Sequence, residues 1–300
     1  MDLSALYQCL ADTGCFTNQI VSALVYGVIL FLMASGLTLV FGVLGVLNFA
    51  HGSFYMLGAY FLYTFSRLEL AFWLTIVIAC AGMGVFALVF ERVFLNKVYG
   101  ANLLYQLLMT YGFVLMLDDI VKLVWGYQFV QFGVPEVFLR PPVVLDDAVV
   151  PFYYLFVIAI GVFLVVTLYS FLWRTKYGKI IRATAYNDEM VMALGIDTRL
   201  VKASVFALGG FLAALSGALA APIRSIYPGM GGEIVVDCFI VVVVGGLGSL
   251  TGALCAALII GLVKSFGIIG FPLFEEGTVF ALMAGLLLIR PQGLLGRAEV

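Results

Sequence analysis

One short stretch, "NFAHGS", places an imidazole, a carboxamide and a hydroxyl side by side: Asn48, His51 and Ser53, with Gly52 between the last two. His51 is the single histidine of 300 residues. A histidine two positions from a serine invites a reading as base and nucleophile. No carboxylate in the motif orients the ring, and no HExxH-type pair exists that could hold a metal. The proximity therefore reads as chance, and the chain reads as a protein without catalysis of its own. What these groups can do is hydrogen-bond, either to something passing through or to a neighbouring helix.

A second group of the same kind lies in "CFIVVVVGGLGSLTGALCAALIIG", where Gly245, Gly246, Gly248 and Ser249 interrupt an apolar run preceded by Asp237. Glycine weakens a helix by up to about 1 kcal/mol per position, and hydrocarbon cannot solvate an asparagine or an imidazole. Segments of this composition must face protein or water. Paired glycine-interrupted runs, one in each half of a chain, point to a solute site between repeats. The alternative is that the glycines let helices approach while Asn48 and His51 bond across to neighbours. Gly209, Ala213, Gly217 and Ala221 recur every four residues, as do Gly248, Gly252 and Ala256, and these are packing faces.

The elements that carry these groups follow from composition. Hydrophobic residues make up 64% and charged residues 11%, which marks a membrane protein. Apolar runs of about twenty residues fit membrane-spanning helices and exclude barrel strands, so the fold class is an all-α polytopic bundle of about 8–9 transmembrane helices with two glycine-broken segments. Spans are expected near residues 20–42, 46–65, 72–90, 103–121, 151–173, 203–222, 234–249, 250–267 and 278–290. The broken stretches 41–65 and 234–249 read equally as crossings or as re-entrant half-helices. Residues 1–19 form an extracytoplasmic N-terminal segment, and 20–296 a single transmembrane domain.

That N-terminal segment contains Asp2 and Asp12 without a lysine or arginine, unlike the basic start of a signal peptide. Cys9 and Cys15 lie close enough in it to form a local disulfide if it faces an oxidising compartment. Cys80, Cys238 and Cys255 lie in apolar runs and behave as small hydrophobes. Scattered charge without a basic stripe excludes nucleic acid as a partner. Arg174, Lys176, Lys179, Arg182, Arg199 and Lys202 crowd one loop, 174–202, which the positive-inside rule makes cytoplasmic. Arg92, Lys97, Arg290 and Arg297 agree. The segment 122–150 is then outside; it carries Glu136, Asp146 and Asp147, and Pro135, Pro141 and Pro142 prevent a continuous helix.

Within the basic loop, Asn187, Asp188 and Glu189 introduce a short helix, Met190 to Leu194, which Gly195 stops. Its apolar residues Met190, Val191, Met192, Ala193, Leu194 and Ile196 should be covered by lipid headgroups or a partner protein.

Taken together, "GLTLVFGVLGVLNFAHGSFYMLGAY", the Arg-Ala, Asn-Asp-Glu and Leu-Gly-Ile pattern of that loop, "VVGGLGSLTGA" and the terminal "IRPQGLLG" resemble the permease subunits of branched-chain amino acid ABC importers, the family with the LivH-type subunit. The resemblance spans about residues 20–296. It implies a subunit of the bacterial inner membrane with a cytoplasmic C-terminus, paired with a second LivH/LivM-type permease subunit, identical or related. It further implies two cytoplasmic ATP-binding subunits and an external solute-binding protein. The family's coupling helix corresponds to Arg182 through Asn187, Glu189, Ala193, Leu194, Gly195 and Ile196. No GxxxxGK[ST] loop is present, so ATP belongs on the partners and the chain needs no cofactor.

Three positions depart from the family pattern: Asp237 stands where lysine is frequent, Ser53 where many members have glutamate, and Val191 where a small residue is usual. The first two widen the expected cargo from branched-chain residues to other amino acids, urea, an amide or a small organic acid. A carrier driven by an ion gradient, with Asp237 as its coupling carboxylate, is the competing reading.

Overall fold

The computed structural model describes residues 3–68, 70–145 and 147–296; Asp2, Asp146 and Arg297 lie outside them. In chain order the helices are α1 (Leu3–Ala11), α2 (Thr13–Leu44), α3 (His51–Ser66), α4 (Phe72–Val93) and α5 (Leu103–Trp125). A short antiparallel hairpin follows, β1 (Val143–Leu145) and β2 (Ala148–Val150). Then come α6 (Phe152–Arg174), α7 (Lys176–Tyr186), α8 (Asp188–Ala193), α9 (Thr198–Ala220), α10 (Met230–Gly245), α11 (Leu250–Gly270) and α12 (Glu275–Ile289).

Among the described residues, α2, α4, α6, α9 and α11 are long and apolar enough to cross a membrane. The helices α3, α10 and α12 have 16, 16 and 15 residues, shorter than the roughly 20 a perpendicular crossing needs. Helix α2 begins within the stretch expected as an N-terminal segment. The first long helix already starts at Thr13, because the Asp12 carboxylate accepts from the backbone N–H groups of Gly14 and Cys15 and so closes its N-terminus. At 32 residues, α2 is about 48 Å long. A disulfide joins Cys9 of α1 to Cys15 in the first turn of α2.

The core is built around α2 and α9, which are buried along most of their length, while α4 and α6 turn most of theirs outward. Lipid is as apolar as leucine, so helices in a membrane associate through close packing and interhelical hydrogen bonds. Both are present here. The Ser216 hydroxyl donates to the Ile29 carbonyl at 2.7 Å, and Gly36 faces Gly209 further along the same antiparallel pair. Ser265 donates to the Gln19 carbonyl at 2.8 Å, while Gly27 packs on Ala257, so α11 also runs antiparallel to α2. Phe54 of α3 meets Phe86 and Phe90 of α4 and Phe206 of α9 edge-on, with centroids 5.7–6.0 Å apart.

The small residues expected to form a packing face on α9 are buried, and Gly217 lies directly on the Tyr55 carbonyl of α3. Gly52 of α3 likewise lies against the Gly231 carbonyl of α10. A methyl group at either position would collide with backbone, which cannot yield as a flexible side chain can. Gly82 on α4 has open space around it. We expect Gly52→Ala and Gly217→Ala to destabilise the detergent-solubilised protein by about 1–3 kcal/mol, and Gly82→Ala to hold or slightly raise its thermal midpoint; equal midpoints for all three would contradict this packing.

Candidate functional site

The break before α3 begins at Gly45, whose φ of 67° ends α2 and returns its N–H to the Phe41 carbonyl at 2.9 Å. Residues 45–50 are not helical. Within them the Asn48 carboxamide oxygen accepts from Ala50 N–H at 3.1 Å. His51 then opens α3 with its Nε2 3.1 Å from the carbonyl of Met33, a residue well before the end of α2. The chain has therefore doubled back along α2 before it becomes helical again. Asn48, His51 and Ser53 are 0%, 0% and 1% exposed, so all three face protein. Asn48 Nδ2, His51 Nδ1 and Ser53 Oγ have no hydrogen-bond partner among the described residues.

The second break is closed differently. Gly245 ends α10; Gly246 and Gly248 have φ of 98° and 79°, and the Ser249 hydroxyl accepts from Gly252 N–H at 3.1 Å to start α11. The last carbonyls of α10 are taken by the C-terminal segment: Leu294 N–H donates to Val244 at 2.7 Å and Leu295 N–H to Gly245 at 3.1 Å. Gly246 lies against Gly296. Two of the sequence motifs, "VVGGLGS" and "RPQGLLG", thus form one junction. Gly42 brings the last turns of α2 beside it, at Gly248. Neither these four residues nor Asn48, His51, Gly52 and Ser53 line the cavities described next.

Asp237 does line a cavity. A space of about 760 Å³ lies between α2, α10, α11, α12 and the turn after α9, and its walls include Arg224, Tyr227, Glu233, Asp237, Lys264 and Glu275. A smaller cavity of about 310 Å³ shares Tyr26, Arg224, Lys264 and Glu275 with it. At their common wall the Tyr26 hydroxyl donates to Asp237 Oδ2 at 2.6 Å. Lys264 Nζ donates to the same oxygen at 2.5 Å and to the Tyr26 hydroxyl at 3.2 Å. The side chains of Asp237 and Lys264 are each 13% exposed. The Arg224 guanidinium lies 4.9 Å from the centre of the Tyr26 ring, and Lys264 Nζ 5.3 Å from it. Two cations therefore share one aromatic ring, a favourable placement because the ring face is electron-rich.

The residues missed from the sequence are Tyr26, Arg224 and Lys264. Lys264 carried a signal: it is the sole charge in the run of α11. A lone lysine there costs roughly 2.5–3.5 kcal/mol on insertion, so it required an acidic partner on another helix, and Asp237 was available.

On the opposite side of the molecule, the loop 174–202 folds as α7 and α8. The Asn187 carboxamide accepts from Met190 N–H at 2.9 Å, and Gly195, with φ of 82°, ends the element, as the sequence indicated. Met190, Met192 and Leu194 are exposed, Leu194 by 76%. Val191 belongs to the interior, at 4% exposure, and Ile196 packs on the cluster formed by α2, α6, α7 and α9. The uncovered apolar patch is thus narrower than expected. Arg182 is held inward as well: its Nε donates to the Leu172 carbonyl at 3.2 Å, and its guanidinium stacks 3.9 Å over Trp173. Asn187, Glu189, Ala193 and Gly195 are exposed. Asp188 pairs with Lys202 of α9. Burial alone would raise its carboxyl, but the bonds from Lys202 and Thr198 outweigh burial and hold it below the usual carboxylate range.

The family model described as branched-chain amino acid transport system / permease component matches residues 19–290. The high-affinity branched-chain amino acid transport system permease protein BraD of Pseudomonas aeruginosa is 29% identical over 302 residues, covering 95% of this chain and 97% of that one. LivH of Escherichia coli K12, named for the same kind of system, is 29% identical over 300 residues with the same coverage. A probable LivH of Methanocaldococcus jannaschii is 27% identical over 295 residues, covering 91% and 90%. A chain in the solved structure of PsaBC from Streptococcus pneumoniae in complex with Fab superposes with a TM-score of 0.53 at 11% identity, covering 96% of this chain and 95% of that one; the likeness is one of fold.

Removing one member of the Asp237–Lys264 pair leaves a charge in the wall without its counter-ion. We expect Lys264→Met and Asp237→Asn each to cost about 1–3 kcal/mol of stability, below the value for a fully enclosed pair because the cavity admits water. The exchanged pair Asp237→Lys with Lys264→Asp should recover at least half of that in thermal unfolding. Losses that simply add in the double variant would show that the two charges do not support each other.

Proposed function

Because the chain belongs to the branched-chain amino acid transport permease family, a family of multi-pass membrane transport components, we propose that it is the pore-forming subunit of an ABC importer for a small polar solute. The cargo is a branched-chain or other amino acid, urea or an amide, or a small organic acid. The subunit sits in the bacterial inner membrane as a single domain, residues 20–296, beside a second permease subunit of the same or a related kind. An external solute-binding protein delivers the cargo, and two cytoplasmic ATP-binding subunits drive its passage.

The observation that carries this reading is the outward face of α8. Its side chains Met190 and Met192, and Leu194 just after it, are left exposed by the described residues, and Asn187, Glu189, Ala193 and Gly195 frame them. A partner surface with an apolar groove would cover such a face. Arg182 of α7, Ile196 and the Asp188–Lys202 pair tie the α7–α8 segment to α6 and α9, so a push on α8 reaches the membrane-spanning helices. Basic residues around α7 favour the cytoplasmic side for this face. The Cys9–Cys15 disulfide favours an oxidising, external N-terminus.

In this scheme the solute passes the cavity bordered by Asp237. The breaks at Asn48, His51, Gly52 and Ser53 and at Gly245, Gly246, Gly248 and Ser249 are the joints about which the helices beside the pathway move. Unwound backbone at membrane depth is used in this way where it lines or hinges a path.

Substituting Met190→Asp together with Leu194→Asp tests the reading, since both side chains already face solvent and the fold does not need them apolar. The expected result is normal membrane insertion and a fall of about tenfold or more in ATP-binding subunits that copurify. Undiminished association would refute the assignment of α8.

A further inference from the structure

We propose that Arg224 is the residue of this chain that receives the carboxylate of the transported solute, and hence that the cargo carries a carboxylate; the inference rests on the permease reading above. Arg224 lies in the turn between α9 and α10 and faces both cavities. Lys264, the other cation in these walls, is already spent on Asp237 and Tyr26. The Arg224 guanidinium is not. Among the described residues it makes no ion pair, and none of its N–H groups has an acceptor; it lies over the Tyr26 ring, with Tyr55, Asp237 and Glu275 as its electrostatic neighbours.

The guanidinium sits over the Tyr26 ring with its carbon 4.9 Å from the centre, and the edge that carries its paired N–H donors has no acceptor among the described residues. That edge matches the two oxygens of a carboxylate in a bidentate geometry. Urea or an amide offers it a single carbonyl oxygen. Among the described residues, Glu275 and Glu276 of the same cavity make no ion pair, although Glu275 is an electrostatic neighbour of Arg224, whereas Glu233 is engaged by the Tyr227 hydroxyl. A solute with a carboxylate at one end and an ammonium at the other complements both sets of free charges. Asp237, whose Oδ2 already accepts two donors, takes a positioning role: it holds Lys264 and Tyr26, and Tyr26 seats Arg224.

The test uses the complete importer in proteoliposomes, with its solute-binding protein outside and ATP inside. Radiolabelled mixed amino acids and radiolabelled urea serve as separate probes. The wild type should take up amino acids and not urea. Arg224→Gln should lower maximal uptake about tenfold or more, the loss of a charge-assisted bidentate contact. The amount of binding protein needed for half-maximal uptake should stay constant, and the ATP consumed per solute should rise in proportion. Arg224→Lys, which keeps the charge and loses the fork, should fall between.

Three results would overturn the proposal: uptake of urea but not of amino acids, a change only in the half-saturating binding protein, or parallel losses of uptake and hydrolysis at a fixed ratio. The second would make Arg224 a docking contact and the third a structural residue. Wild-type uptake that needs no ATP would instead refute the permease reading, and this is read on the unmodified protein.

Discussion

Hydrocarbon offers no hydrogen bonds, so wherever a helix stops inside the bundle its loose backbone groups must be met by the chain itself. The two interruptions of this protein meet that demand in different ways. After α10 the demand is met by a distant segment: Leu294 and Leu295 donate to the last carbonyls of the helix, which ties the C-terminal strand of residues to the glycine-rich turn. Before α3 it is met locally, by the Asn48 side chain on Ala50, while His51 bonds across to the Met33 carbonyl of α2. Both solutions need backbones to come close, and this is why glycines gather at these places. An unwound segment held by only a few bonds, among otherwise continuous helices, is where a bundle can bend without exposing backbone to lipid.

The second requirement is the placement of charge. Asp237, Lys264 and Tyr26 come from three helices, α10, α11 and α2, and meet around one carboxylate oxygen. Each charge alone would oppose insertion of its helix; together they fix the mutual rotation of all three. This bears on the energy source. An ion-coupled carrier needs a carboxylate free to take up and release its ion, and Asp237 was the foremost candidate for that role. Its engagement with two donors suits a fixed structural wall better than a site that loads and unloads with each cycle. In the proposed scheme the work enters from elsewhere, and the exposed apolar cap of α8 is the surface proposed to receive it.

Much of this was legible in the residues. The helical membrane class followed from composition, and the capped, glycine-stopped α8 followed from Asn187 and Gly195. The Cys9–Cys15 pairing was an open possibility that the structure contains. Boundaries were less legible: Asp12 starts α2 earlier than the apolar run suggests, since a capping bond is set by a single side chain. The inward turn of Val191 was hidden because a six-residue helix has too few turns to show which face is buried. The cavity could not be read at all. Its walls include residues 26, 224, 237, 264 and 275, which only the tertiary fold assembles, and the motifs that stood out most in the chain lie outside those walls.

The central claim is that this subunit gates a path and supplies no energy. The direct measurement is accumulation of radiolabelled amino acids by sealed vesicles holding the purified chain alone, under imposed proton and sodium gradients, compared with vesicles holding the chain with its permease partner, the ATP-binding subunits and the solute-binding protein. No accumulation by the chain alone, and ATP-dependent accumulation by the assembly, is the predicted result. Uphill accumulation by the chain alone, driven by either gradient, would contradict the account.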